Sequence, residues 1–149
     1  MILDGDNMRH GLCGDLKFSI KDRSENIRRV GEVAKLFFES GHIVICTFIS
    51  PIIKDRQFVR SLFPDKRFFE IYVKCDLDVC KKRDPNGLYK RALTGEIPEF
   101  TGVSSPYEEP LAPEFIVESD HQSLDQITDF LIHQLKQNGI LREIEKKCI

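Results

Sequence analysis

No run of apolar residues in this chain approaches the roughly 18 needed to span a bilayer. Its first residues lack the basic-then-apolar pattern of a leader, and Cys148 stands too near the end to be prenylated. The expectation is a soluble, cytoplasmic protein. An excess of charge is also missing: 22 Lys and Arg against 24 Asp and Glu leave a formal net charge of −2. No overall basic field draws in nucleic acid or a membrane surface, so an anionic partner has to be met locally. Cysteine is scarce and unpaired. Cys13, Cys46, Cys75, Cys80 and Cys148 are odd in number, dispersed and without C-x-x-C spacing, which fits reduced thiols that pack as small hydrophobes. His10, His42, His121 and His133 have no ligand-like spacing, so no metal site is expected. Internal repeats and low-complexity tracts are absent. With 149 residues, 41% of them hydrophobic and 31% charged, the chain suffices for one cored domain and is too short for two.

What is present starts at Asp4-Gly5-Asp6-Asn7-Met8-Arg9-His10-Gly11-Leu12, directly behind the apolar Met1-Ile2-Leu3. Read as a short buried strand running into a turn, it places two carboxylates, an amide and an arginine beyond a strand's carboxyl end, where α/β proteins bind ligands. In isolation the same stretch reads as a hydrophilic turn. Further on, Ser19 takes an N-cap position with Asp22 three residues later. Ile27, Val30, Val33, Ala34, Phe37 and Phe38 then recur at helical spacing until Gly41. Arg23, Arg28 and Arg29 crowd the first two turns of this helix against its macrodipole, which hints at an anionic ligand. Arg23 is the better candidate, because Arg28 and Arg29 can equally pair with Glu25 and Glu32 on a solvated face.

The run from His42 to Ile49 is β-branched and almost continuously apolar, as expected of a central parallel strand covered on both faces. Ser50-Pro51 ends it with a hydroxyl at the carboxyl edge, open to a ligand role or to an N-cap role. A helix over Lys54 to Phe63, a strand over Phe68 to Lys74 and a helix over Asp76 to Lys82 continue an alternating β and α order. Between Arg83 and Pro113, prolines and glycines surround one short helical piece, Leu88 to Thr94, and Lys81, Lys82, Arg83, Lys90 and Arg91 make its base basic. A long irregular insertion of this kind reads as a lid suited to phosphates, or else as a solvated basic face. Phe115 to Val117 reads as the last strand, and Ser123 with Gln126 caps a helix that Asn138-Gly139 ends. Residues 1–138 are then the domain, with 83–113 as lid and 139–149 as tail.

Taken together, Asp4-Gly5-Asp6-Asn7-x-Arg9, Phe18-Ser19-x-x-Asp22-Arg23-x-Glu25-Asn26-Ile27-Arg28-Arg29, Phe48-Ile49-Ser50-Pro51, Arg83-Asp84-Pro85-x-Gly87-Leu88-Tyr89-Lys90 and Phe100-Thr101-Gly102 closely resemble the adenylylsulfate kinases. These enzymes phosphorylate adenosine 5′-phosphosulfate at its 3′-hydroxyl. The resemblance runs from Ile2 to about Glu114. It implies an α/β, P-loop NTPase-like parallel sheet between helices, with MgATP as donor. By position it implies Asp6 as the residue assisting the 3′-hydroxyl, with Asp4 and Asn7 beside it. Arg9, Arg23 and Asn26 match positions that hold the phosphosulfate, and Phe18 and Phe100 match the adenine walls. Ile49 and Ser50 match a further contact, the serine being a phosphoserine candidate or a structural residue. Arg83, Asn86 and Lys90 match the nucleotide side of the lid. The implied partners are adenosine 5′-phosphosulfate and ATP, with a homodimer or a sulfurylase partner left open and neither nucleic acid nor membrane expected.

The departures are specific. The family carries a strand, a G-x-x-x-x-G-K-[ST] loop and its helix upstream of the Asp-Gly-Asp-Asn block, and none of the three occurs in these 149 residues. The backbone cradle for ATP phosphates, its lysine and its magnesium-holding hydroxyl are therefore absent from the sequence, and so is a strand expected at the centre of the sheet. The neighbouring strands should carry unpaired edges. Asn86 and Glu99 stand where the family usually has lysine and glycine, and Ile52-Ile53 follows Ser-Pro. Two readings follow. One is an adenylylsulfate kinase whose amino-terminal segment is cut off, by truncation or a mistaken start. The other is a pseudokinase that binds adenosine phosphosulfate or a partner without transferring phosphate. A different small-molecule kinase is argued against by the Phe-Thr-Gly and Asp-Gly-Asp-Asn blocks together.

Overall fold

In the computed structural model, which describes residues 1–141, strand β1 spans Ile2–Asp4 and runs straight into helix α1, Gly5–His10. The expected turn is thus a helix. Asp4 is its N-cap, its Oδ1 accepting from the backbone N–H groups of Asp6 (3.1 Å) and Asn7 (3.3 Å). Only Leu3 of β1 is buried, so the strand is half covered rather than buried throughout.

Helix α2, Ile20–Glu39, begins where Ser19 predicts, with Ser19 Oγ accepting from the Asp22 N–H at 3.1 Å. The Asp22 carboxylate accepts not from the cap residue but from the Lys17 N–H, 3.2 Å away, and so holds the loop that precedes the helix. Gly41, at φ +85°, lets the chain turn back at the end of α2. Val30 and Ala34 of α2 meet Leu3 in the core, flanked by Phe37, Val44, Phe48 and Phe63.

Strand β2 is only Ile45–Thr47, parallel to β1 with Leu3 opposite Cys46. All three of its residues are exposed, which corrects the expectation of a central strand covered on both faces. Its physical cause is that β2 has β1 as its one strand partner among the described residues, with its other edge open, while the residues that pack on the core of α2 are Val44 and Phe48 at its two ends. Helix α3, Ile53–Ser61, lies against α2, where Gly31 permits the approach. A Cβ at Gly31 would stand 3.0 Å from Val59.

Strand β3, Ile71–Lys74, pairs in parallel with β4, Phe115–Glu118, and between them lie α4, Leu77–Arg83, and α5, Leu88–Leu93. The final helix α6, Leu124–Gln137, opens on a complete capping box of Ser123 and Gln126 and ends before Asn138 and Gly139 (φ +68°). Of the expected tail 139–149, residues 142–149 lie outside the described residues. Among the described residues the four strands make two separate parallel ladders, β1-β2 and β3-β4, not one sheet. No strand hydrogen-bonds between the pairs, so the unpaired edges expected from the sequence are present, and Ile45 and Val73 are both more than half exposed.

The ladders are joined by α3. Arg56 donates to Ser50 O (2.6 Å) and Glu108 O (2.7 Å), and its Nε lies 2.7 Å from Glu70 Oε1. Arg60 meets Glu114 at 2.6 Å and Glu70 at 3.3 Å. Glu70 precedes β3 and Glu114 precedes β4, so these two arginines tie the second ladder to the helix that packs on the first.

Candidate active site

The carboxyl ends of β1 and β2 open into a cavity of about 250 Å³. Asp4, Asp6, Arg9, Phe18, Arg23, Asn26, Ile49 and Ser50 all line it, together with Gly5, Ile27, Thr47, Phe48 and Pro51. Eight of the ten candidate catalytic and substrate-binding residues thus converge from four segments. Asn7 and Phe100 do not line it. Asn7 is exposed, and its backbone N–H is used in the Asp4 cap. Phe100 lies between α5 and β4, edge-on to Tyr89 at 5.0 Å.

The two carboxylates differ in how much capacity they have left. Asp4 spends Oδ1 on the α1 cap and Oδ2 on the Thr47 hydroxyl, which donates to it at 2.9 Å. The Thr47 bond, followed by the backbone bonds, holds its carboxyl below the usual range. Asp6 is exposed, and its carboxylate accepts no hydrogen bond among the described residues. Asp4 shapes the site, whereas Asp6 is available in it.

Both arginines press on Phe18. The Arg9 guanidinium carbon lies 4.5 Å from the ring centre and that of Arg23 5.4 Å. Arg9 Nη1 donates to Leu16 O (3.4 Å) and Lys17 O (2.9 Å). Arg23 donates through Nε to Phe18 O (2.8 Å) and through Nη2 to Glu99 O (2.9 Å). Burial and then the neighbouring Arg9 push the Arg23 pKa down. Neither guanidinium has a carboxylate partner among the described residues, so two cations share one wall with donors to spare. Asn26 is buried beside them, and its Oδ1 has no hydrogen-bond partner.

Arg28 and Arg29 are not in the site. Both bind Glu25, at 2.7 and 2.9 Å, and Arg29 also grips Asp15 through both nitrogens (2.6 and 2.9 Å) and the Leu12 carbonyl (2.9 Å). These bonds pull the Glu25 carboxyl down to about 2. The structure decides the open question for a structural clamp, with Asp15 as a partner that sequence reading missed. Ser50 does not cap α3, whose N-cap position is Ile52 and has no side-chain cap. It adopts φ +42° and offers its carbonyl to Arg56.

On the nucleotide side the candidates do not converge. Arg83 donates to Ser119 O (2.8 Å), Asn86 and Lys90 are exposed, and none of the three lines the cavity. No group of three or more His, Cys, Asp or Glu among the described residues could hold a metal ion. No G-x-x-x-x-G-K-[ST] loop occurs among these 149 residues, so none of them forms a phosphate cradle of that type. No helix among the described residues is long and apolar enough to cross a membrane.

A profile of the family described as Adenylylsulphate kinase matches residues 1–118. The chain belongs to this family. A probable adenylyl-sulfate kinase of Bacillus subtilis is 59% identical over 140 residues, covering 94% of this chain and 70% of the relative. An adenylyl-sulfate kinase of Bacillus velezensis is 58% identical over 138 residues, covering 93% and 70%. Among solved structures, the APS kinase of Mycobacterium tuberculosis in complex with AMPPNP and APS superposes with a TM-score of 0.85 at 43% identity, over 91% of this chain and 79% of that one. Membership in the adenylylsulfate kinase family brings the P-loop NTPase fold and a kinase's use of ATP. In this chain the described residues give that fold two parallel ladders, β1-β2 and β3-β4, with helices on them.

Proposed function

We propose that this chain binds adenosine 5′-phosphosulfate as the acceptor in an ATP-dependent phosphorylation of its 3′-hydroxyl. The product is 3′-phosphoadenosine 5′-phosphosulfate, and the role is in sulfate activation in the cytoplasm. The observation that carries this reading is a free carboxylate, Asp6, in one cavity with two arginines that have no carboxylate partner. Such a cavity suits a ligand with an oxyanion at one end and a hydroxyl to be activated at the other. Arg9, Arg23 and Asn26 hold the phosphosulfate. Phe18 offers its ring to the adenine, Phe100 approaches from the lid over 83–113, and Asp6 orients the 3′-hydroxyl and accepts its proton. Ser50 has a structural part, since its carbonyl is held by Arg56. When bound, MgATP supplies the transferable phosphoryl group. The residues that line the cavity prepare the acceptor.

Calorimetric titration of the chain with adenosine 5′-phosphosulfate is the test, followed by an assay of ADP release by the protein as isolated from its own source. Saturable binding that Asp6→Asn preserves within a few-fold is expected. The same substitution should lower phosphosulfate-dependent ADP release by about 10²–10⁴-fold. Absence of binding would overturn the proposal. Binding with no ADP release from the isolated protein would reassign it as a non-catalytic phosphosulfate binder.

A further inference from the structure

Two features that the site description leaves unexplained meet at one residue. Glu99 has φ +56°, in the left-handed region that costs a side-chain-bearing residue energy, and its carbonyl oxygen is the one that Arg23 Nη2 reaches at 2.9 Å. The contact joins positions 76 apart in sequence, one on α2 and one in the lid. On its other side the same guanidinium is fixed by Phe18 O at 2.8 Å and by the Phe18 ring. Arg23 is therefore held at two points before any ligand arrives, and its remaining edge is the one left to bind.

We propose that Glu99 is a positioning residue: its left-handed backbone delivers the carbonyl that sets the Arg23 guanidinium across Phe18, so the lid and the anion-binding wall form one unit. The inference rests on the reading of the cavity as a phosphosulfate site. It assigns the backbone of Glu99, not its exposed carboxylate, a part in affinity. A long side chain such as arginine loses much rotamer freedom on binding, and a carbonyl that holds it beforehand removes part of that cost. The strain at Glu99 is thus coupled to a pre-organised donor, and relaxing it into an extended conformation would swing the carbonyl away.

The test varies the backbone preference at one position while watching a side chain elsewhere. Glu99→Gly adopts φ near +56° freely, Glu99→Val resists it, and Glu99→Gln keeps the strain while removing the charge. Titration with adenosine 5′-phosphosulfate should find Glu99→Val weaker by about five- to thirty-fold, because a β-branched residue resists φ near +56° more strongly than the parent's glutamate does. Glu99→Gly should bind at least as tightly as the parent, and Glu99→Gln within about three-fold of it. Hydrogen exchange of backbone amides 95–103, without ligand, should be faster in Glu99→Val and in Arg23→Ala than in the parent or in Glu99→Gly. If Glu99→Val binds like the parent, or Glu99→Gln weakens binding as much as Glu99→Val, the positioning role is overturned. If the parent itself does not bind, the phosphosulfate reading fails. The exchange measurement then still decides whether Arg23 and the Glu99 backbone hold the lid, and equal exchange in all variants would overturn that.

Discussion

The first ladder buries Leu3 against Val30 and Ala34 of α2, and the second buries Phe115 between the rings of Phe69 and Phe130, yet only the first opens at its carboxyl end into the cavity. Both ends are polar. Beyond β3 and β4 the polar groups satisfy one another: Asp120 accepts from the Asp76 N–H at 3.0 Å, the Ser119 N–H donates to Lys74 O at 2.9 Å, and Arg83 donates to Ser119 O. Beyond β1 and β2, Asp4 is consumed by its cap and by Thr47, but Asp6, Arg9 and Arg23 keep unused hydrogen-bonding capacity. A strand end becomes a site when the local structure leaves charged groups over, not merely when charged residues are present.

The connection between the ladders is the first place to break this comparison. Arg56→Met leaves the Glu70 carboxylate, whose side chain is 16% exposed, without its closest cation and frees the Ser50 and Glu108 carbonyls. Removing one partner of a nearly buried pair costs about 3–5 kcal/mol, and a urea midpoint should fall accordingly. Leu3→Ala should destabilise by about 2–4 kcal/mol through the cavity left under α2. The smaller truncation in the second ladder, Val117→Ala, removes about two methylene equivalents against about three for Leu3→Ala and should cost about 1–2 kcal/mol. A loss per removed carbon that differed severalfold between the two would mean that the ladders are not packed alike. For the site, Arg23→Ala should weaken adenosine phosphosulfate binding by about 1.5–3 kcal/mol, read by calorimetry, and an unchanged dissociation constant would remove Arg23 from the site.

The smallest effect is that of pH on the clamp of Arg28, Arg29, Asp15 and Glu25. The carboxyl of Glu25 is depressed from an ordinary 4.5 to about 2 in the folded chain. Its contribution to stability is therefore present above pH 4.5 and lost as pH falls from 4.5 towards 2. These groups are partly exposed to solvent, so added salt should flatten the profile. Thermal unfolding followed across that range should show a shallower acid decline for Glu25→Gln than for the parent.

Much of the local structure was legible because it depends on neighbours in sequence. Ser19 capping α2, Ser123 with Gln126 capping α6, and Gly41 and Asn138-Gly139 closing those helices are short-range hydrogen-bond and dihedral effects. Three of the five motif blocks brought eight candidate residues to one cavity because each of the three abuts a strand end or the first turns of α2, and the blocks at Arg83 and Phe100 contribute none. Where reading failed, the cause was distant. The apolar run 42–49 has the composition of a central strand, but composition does not supply strands on either side or cover for both faces. For Arg28 and Arg29 an anion and a pairing with Glu25 and Glu32 stood equally open, and the fold decided for Glu25 and brought Asp15 to Arg29.

By itself, then, the amino-acid sequence determined the caps that open and close α2 and α6, the parallel α/β class and the family, since all of these are written in spacing and short-range chemistry. The tertiary structure alone decided that the strands form two ladders tied by Arg56 and Arg60, that Asp4 is a cap while Asp6 stays free, and that Arg23 is shared between the carbonyls of Phe18 and Glu99. Each of these depends on which hydrogen-bonding groups meet across tens of residues, and that is set by how helices and strands pack.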